Sequence, residues 1–345
     1  MTETLTSKKL GITFFSCLVA LVVVMVLCAV VGTQKISLAK ALSGPADTPG
    51  ENIDYEILMG VRLPRVILAA IVGAALACCG VVLQAILRNP LADPYILGIS
   101  SGAGLGAIIA VLSGLTWSFW GGSPIAVFAF MGALITVWLV WCIGYLAGAG
   151  KSQVTTLLLA GVVVNAFFAA VIMFLTSIAK SDQVHSTIFW LMGNITEKSR
   201  SVLWVSAACI IAGIVALFSI CHRLNVLTFG ETQAKALGVD TTRTQITAFG
   251  LAAFITAIAV SLSGLIGFVG LIVPHAVRLV FGPDHRRLLP VSAIVGGAFL
   301  VVADTIARTI IAPAQLPVGV ITAIAGGPFF LILLAKYSRK VSWLK

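Results

Sequence analysis

The sequence predicts an all-α protein that crosses a membrane about ten times. Three observations predict it. Only 10% of the 345 residues are charged, against about 25% in a soluble domain. A further 59% are hydrophobic. Apolar runs recur along the whole chain, most of them near the roughly 20 residues that carry a helix across the hydrocarbon core. A chain this poor in charge cannot cover itself with polar surface, so lipid must be its solvent.

The first span, 12–32, follows Lys8 and Lys9. It is too long for the apolar core of a signal peptide and lacks a small-x-small cleavage site, so it reads as retained. Gln34–Gly60, with Gly44, Pro45, Pro49 and Gly50, reads as an extracytoplasmic loop before the second span, 65–87. The third span, 94–112, is rich in glycine. Gly98, Gly102 and Gly106, four apart, form a bare helix face that lets a neighbouring backbone approach. Spans four and five are 124–147 and 154–178. Ser181–Gly193 is mildly amphipathic and reads as a short helix at the outer surface.

The sixth span, 201–221, leads into His222–Arg243, the longest polar cytoplasmic stretch. The seventh is 244–264. The eighth, 268–281, is short and contains Pro274. Broken segments of this kind are tolerated in transporters, where irregular backbone lies against protein or a cavity. Spans nine and ten, 289–311 and 318–335, complete one domain over 1–345, with both termini cytoplasmic.

The net charge of +10 comes from 22 basic and 12 acidic residues. The basic residues are scattered between apolar runs with no stripe interleaved with aromatics, which argues against nucleic acid. The positive-inside rule accounts for them better. Fourteen fall on the cytoplasmic side of this topology. The other eight, Lys35, Lys40, Arg62, Arg65, Lys180, Lys198, Arg200 and Arg308, lie outside and need a reason to be there. The seven cysteines have no metal-type spacing and read as packing residues.

Individual motifs divide between bland and functional readings. Gly98-Ile-Ser100-Ser101-Gly102 matches a nucleophile elbow, but that motif needs a strand before it. The rival of a different class is therefore an intramembrane hydrolase using Ser100 with His275. Gly150-Lys151-Ser152 resembles the end of a phosphate-binding loop, yet the glycine required five residues earlier is Tyr145. The chain should bind no ATP itself. A passive channel is disfavoured, because no charged ring or repeated filter occurs. Asp304 and Arg308, four apart, are either a self-neutralising pair or a pair whose arginine faces a partner. Arg62 and Arg65 around Pro64, on the disfavoured side, suit an acidic partner. His185 reads as an interfacial polar residue and His275 as structural.

Several segments together resemble the FecCD-type permeases, which import iron–siderophores, haem and cobalamin. They are Arg62-Leu-Pro-Arg65, Gly80-Val-Val-Leu-Gln84, Asn89-Pro-Leu-Ala-Asp-Pro94, Leu97-Gly98, Ser101-Gly-Ala-Gly104, Leu157-Leu-Leu-Ala-Gly161 and Phe189-Trp-Leu-Met-Gly193. Later come Gly267-Phe-Val-Gly-Leu-Ile-Val-Pro-His275 with Arg278, Asp284-His-Arg286, Asp304 with Arg308, and Leu316-Pro-Val-Gly319. The order and spacing of these segments, from about residue 12 to 336, carry the resemblance.

The resemblance implies a ten-span, type II ABC importer permease in the bacterial cytoplasmic membrane. It implies a homodimer, two ATPase subunits that bind the ATP and magnesium, and an extracytoplasmic substrate-binding protein. The cargo would be a metal chelate or tetrapyrrole. No catalytic residue, metal site or cofactor is expected in this chain. Binding-protein docking would fall to Arg62, Arg65 and Arg308. ATPase coupling would fall to Thr228, Gly230, Glu231, Ala234, Leu237 and Gly238. Asn89 and Leu91 with Val154 and Thr155 would form a cytoplasmic gate, although Val154 stands where the family can carry a hydroxyl. Asn165 and His185 would line the path, with His185 standing where some relatives carry arginine.

Overall fold

A computed structural model describes residues 7–46, 51–118, 121–147, 153–196 and 198–342. In chain order the helices are α1 (Ser7–Val30), α2 (Leu38–Leu42), α3 (Ile53–Tyr55), α4 (Leu63–Ile86), α5 (Ile99–Leu112), α6 (Pro124–Ala147), α7 (Gln153–Ser177) and α8 (Ser181–Leu191). They continue with α9 (Arg200–Ser219), α10 (Cys221–Leu227), α11 (Glu231–Ala236), α12 (Thr241–Ser263), α13 (Val269–Phe281), α14 (His285–Thr309) and α15 (Val318–Ser342). Among the described residues there are no strands. Among those residues seven helices are long and apolar enough to cross a membrane, and three shorter apolar ones, Ile99–Leu112, Val269–Phe281 and Val318–Leu333, accompany them.

The second span begins earlier than the sequence suggested. Gln34–Gly60, expected as a loop, contains α2 and α3, and α3 continues through a π turn, Glu56–Arg62, into α4. The result is a run of 34 residues, Ile53–Ile86. In the π turn the Leu63 N–H reaches Leu58 O, five residues back. Pro64 follows at the start of α4, where a missing amide donor is tolerated. The apolar stretch alone could not reveal this extension, because its outer part carries Asp54, Glu56 and Arg62.

The predicted third span is divided. Pro94–Leu97 forms a 3-10 turn capped by Asp93, and Gly98, at φ +76°, starts α5 in a left-handed conformation. A second break separates α12 from α13 between Gly264 and Phe268. The two breaks face each other. The Tyr95 hydroxyl donates to Ile266 O at 2.7 Å and accepts from Ile266 N at 2.7 Å. One side chain thus supplies backbone hydrogen bonds that a helix would have made and that lipid cannot.

The buried centre is α4, which packs against α12, α13 and α14. Lipid tails are as apolar as leucine, so close van der Waals approach holds such helices together. Gly80 lies so near the Gly270 carbonyl that a Cβ there would stand 1.8 Å from the oxygen. The glycine face of α5 does the same against α6, where a Cβ on Gly102 would meet Thr136 Oγ1 at 1.8 Å. That is the packing role the Gly98, Gly102, Gly106 spacing predicts.

Candidate docking, path and coupling sites

Arg62, Arg65 and Arg308 converge at the end of the bundle predicted to face outward. They line one cavity of about 220 Å³ with Gln34 and Gln315. All three are buried, at 4%, 9% and 6% exposure. Arg62 closes the end of α1: its Nη1 donates to Val30 O at 2.5 Å and Ala29 O at 3.3 Å, and its Nη2 to Gln34 O. Arg65 Nε and Nη2 grip Asp304, and Arg65 Nη1 donates to Gln315 Oε1 at 3.0 Å. Arg308 Nε reaches the same carboxylate at 3.1 Å. The self-neutralising reading of Asp304 and Arg308 is therefore met. The pair exists, and Asp304 serves two arginines, Arg65 and Arg308, while Arg62 beside them is held by backbone carbonyls.

Asn165 is exposed on α7, flanked by exposed Val162, Val163 and Phe167. Its backbone adjoins Gly98, the break before α5. His185 is exposed on α8, with its ring 4.5 Å from that of Phe189. The start of α15 lies beside α8, since Gly319 touches Met192 O. Farther along α15, Gly326 touches Phe268 at the second break. The helices α7, α8 and α15 thus surround the two breaks, and each keeps an exposed side.

Of the residues expected to form a gate, Asn89 and Leu91 lie half-buried on the loop after α4, where Asn89 Oδ1 accepts from Leu91 N at 2.9 Å. Val154 and Thr155 stand in the first turn of α7, and their side chains lie outside the described residues. Asp93 ends this loop with its carboxylate buried at 8% exposure and accepting from Tyr95 N at 2.9 Å. Burial pushes its carboxyl up to about 6.

The segment expected to couple to the ATPase folds as the end of α10, a turn at Gly230 and α11. Gly230 has φ +111°, which only glycine adopts comfortably. Ala234 is buried, while Thr228, Leu237 and Gly238 are exposed. Glu231 accepts from Gln245 Nε2 at 3.2 Å and lies 3.9 Å from Arg88. Two large apolar side chains project from this polar end, Phe229 at 71% and Leu237 at 67% exposure. Asn225 ties the segment to α14, donating to Asp284 Oδ1 at 2.8 Å and accepting from His285 N at 2.8 Å. The Arg286 guanidinium beside it holds the Asp284 carboxyl well below its usual range.

The FecCD transport family model matches residues 20–336. The chain belongs to the FecCD transport family. It is 46% identical over 280 residues to the cobalamin import permease BtuC of Halobacterium salinarum, covering 81% of this chain and 73% of that protein. It is 37% identical over 330 residues to the hemin transport permease HmuU of Yersinia pestis, covering 93% and 96%. Over 285 residues it is 39% identical to the Fe(3+) dicitrate permease FecD of Escherichia coli, covering 82% and 86%. A solved inward-facing metal-chelate type ABC transporter superposes with a TM-score of 0.79 at 32% identity, covering 92% of this chain and 98% of that one. This FecCD protein is accordingly a membrane-spanning permease subunit of an ABC importer, a class that carries no ATP site of its own.

As a FecCD permease the chain has no use for the hydrolase reading. Ser100 Oγ and both ring nitrogens of His275 are buried without hydrogen-bond partners, so they do not bond each other. Ser100 also sits in α5, with no strand before it. Residues 150–152, which resemble a phosphate loop, lie outside the described residues. Sequence reasoning left two residues of this permease without a role. Phe229 lay inside a segment read as polar, and Asp93 was one letter of a motif. The only signal for either was an apolar residue in a polar run and a lone carboxyl beside a span.

Proposed function

We propose that this chain is one half of a homodimeric importer for a bulky metal chelate, namely an iron–siderophore complex, haem or cobalamin. Two ATPase subunits sit on its cytoplasmic face and hold the ATP and magnesium. An extracytoplasmic binding protein delivers the cargo from the other side of a bacterial cytoplasmic membrane, and both termini are cytoplasmic.

Asn165 carries the reading. An amide turned to lipid would leave its donors and acceptor unpaired, at a cost of roughly 2–7 kcal/mol. An exposed Asn165 on α7 is instead suited to water in a path or to a second copy of the chain. His185, exposed on α8, meets an entering ligand. Closure of the ATPases moves the Thr228–Gly238 segment, and α7 and α15 rock to open the path to alternate sides. The arginine cavity receives a carboxylate of the binding protein, since its three guanidiniums are lined up with a single internal carboxylate, Asp304, which is bound by only two of them. The names of the relatives support a chelate or tetrapyrrole as cargo.

The test is reconstitution into proteoliposomes with the cognate ATPase and binding protein. ATP-dependent accumulation of iron–siderophore, haem or cobalamin is expected, and none without the ATPase. Accumulation of a small oxyanion alone would overturn the substrate class, and substrate turnover by the isolated chain would overturn the permease mechanism.

A further inference from the structure

Helix α4 ends in a backbone lock that normally takes glycine. The Asn89 N–H reaches back to Gln84 O at 3.2 Å, and the Arg88 N–H to Ala85 O at 3.3 Å. This crossed pair needs a left-handed residue just past the helix, usually glycine and sometimes asparagine. Here that residue is Arg88, at φ +46°. A Cβ makes the left-handed backbone costly, so the side chain needs a reason to stand there.

The Arg88 side chain lines a cavity of about 350 Å³ at the end of α4 away from the arginine cluster, with Gln84, Thr228, Arg278, Pro283 and His285 among its other walls. No acidic residue is among the described residues that line it. Arg278 Nη2 donates to Gln84 Oε1 at 3.0 Å, and Gln84, 3% exposed, is itself fixed by Gly270 O. The neighbouring carboxylates are engaged elsewhere. Glu231 stays 3.9 Å from Arg88 and accepts from Gln245, while Asp284 accepts from Arg286 and Asn225. Two guanidiniums on different elements thus share one cavity.

His285 decides the chemistry. It is 3% exposed, and its Nε2 has no hydrogen-bond partner among the described residues. The ring's proton is placed by its neighbours. Asn225 Nδ2 donates to Asp284 Oδ1 at 2.8 Å, which turns Asn225 Oδ1 toward His285. That oxygen accepts from the His285 backbone N–H at 2.8 Å and lies 2.6 Å from Nδ1. An amide oxygen can only accept, so Nδ1 carries the proton and Nε2 of the neutral ring is an acceptor. Asn225 is not among the described walls of the cavity, so the ring edge left for it is that of Nε2.

An anion without a proton would satisfy the guanidiniums and leave Nε2 unmet. Hydrogen phosphate satisfies both. Its charged oxygens accept from Arg88 and Arg278, as phosphate does from guanidinium groups generally, and its O–H donates to Nε2. We propose that this cavity is a binding site for inorganic phosphate in its protonated form, recognised by Arg88, Arg278 and His285.

The experiment is calorimetric and thermal-shift titration of the detergent-purified full chain at pH 7, kept free of phosphate beforehand. Inorganic phosphate should bind. Sulfate and dimethyl phosphate carry no O–H at this pH and should bind about tenfold more weakly or less, as expected when a buried acceptor is left unmet. Arg88→Gln should weaken phosphate binding about tenfold, the loss of one charge-assisted contact. Arg243→Gln, at an exposed arginine paired with Asp240 at the start of α12, should leave it unchanged. Arg88→Gly should raise the thermal midpoint without phosphate, because glycine takes the left-handed position freely, and should lose most of the phosphate-induced rise. No phosphate response in the wild type, or the same response in Arg88→Gln, would overturn the site. Equal binding of phosphate and sulfate would overturn the part given to His285 and with it the choice of ligand.

Discussion

Arg65, at the start of α4, forms a buried forked ion pair with Asp304 of α14, its Nε 3.1 Å from Oδ2 and its Nη2 3.0 Å from Oδ1, across 239 residues of sequence. The side chains are 10% and 1% exposed. Arg308 shares the same carboxylate. Removing Asp304 therefore leaves two guanidiniums buried together, and breaking a buried pair costs about 3–5 kcal/mol. Asp304→Asn should lower the thermal midpoint in detergent steeply. Adding Arg65→Gln should recover part of the loss, because the two changes share one interaction. Strictly additive losses would mean that the pair contributes nothing of its own.

The docking proposal has a gentler test than charge reversal at these arginines. Gln315 is exposed at the cavity and accepts from Arg65 Nη1 at 3.0 Å. Gln315→Glu keeps the acceptor and adds a carboxylate where the binding protein's acid would enter. Affinity for the binding protein should fall about tenfold, as expected for a charge-assisted contact of 1–2 kcal/mol, and the salt dependence of docking should flatten. Unchanged affinity with an unchanged salt slope would remove the cavity from the docking surface.

The coupling proposal is tested at Phe229 and Leu237, the exposed apolar side chains of that segment. Exposed apolar side chains gain roughly 1.5–3 kcal/mol each when a partner covers them. Phe229→Ala with Leu237→Ala should weaken ATPase association by two orders of magnitude or more and uncouple ATP hydrolysis from the binding protein, while membrane insertion is unaffected. Reversing Glu231 is a poorer test, since Glu231 also holds Gln245 and lies beside Arg88. Normal coupling in the double variant would place the ATPase contact elsewhere.

The apolar runs were legible in the sequence because length and composition dictate a spanning helix. The Gly98, Gly102, Gly106 face was legible because spacing alone puts glycines on one side. The Asp304–Arg308 pair was visible at helical spacing, but its third member, Arg65, was not, because nothing local joins residues 239 apart. The burial of the three arginines was hidden for the same reason. A basic residue at a predicted span end reads as exposed until the π turn before α4 and the end of α1 close over it. The breaks at Gly98 and Gly264–Phe268 could be suspected from glycine content and short length. That Tyr95 joins them depends on tertiary packing.

Asp93 gives a pH signature. Its carboxyl is buried at the end of the loop after α4, with no ion pair among the described residues, and its folded value is raised from 3.8 to about 6. Below about 4 the group is protonated whether the chain is folded or unfolded. Between about 4 and 6 the folded chain holds a proton that the unfolded chain has released, so stability falls as pH rises through this window. Above 6 the folded state carries the full cost of a buried carboxylate, on the order of 3 kcal/mol at 1.36 kcal/mol per pH unit. Asn at this position keeps the acceptor for Tyr95 N–H, bonded at 2.9 Å, without the charge. Asp93→Asn should therefore be more stable than the wild type at pH 7.5 and equal to it near pH 4, with the two curves converging between. Thermal midpoints in detergent across pH 4–8 measure this directly. Parallel curves would show that Asp93 is solvated in the membrane-embedded protein, by water entering the gate loop from the cytoplasmic side.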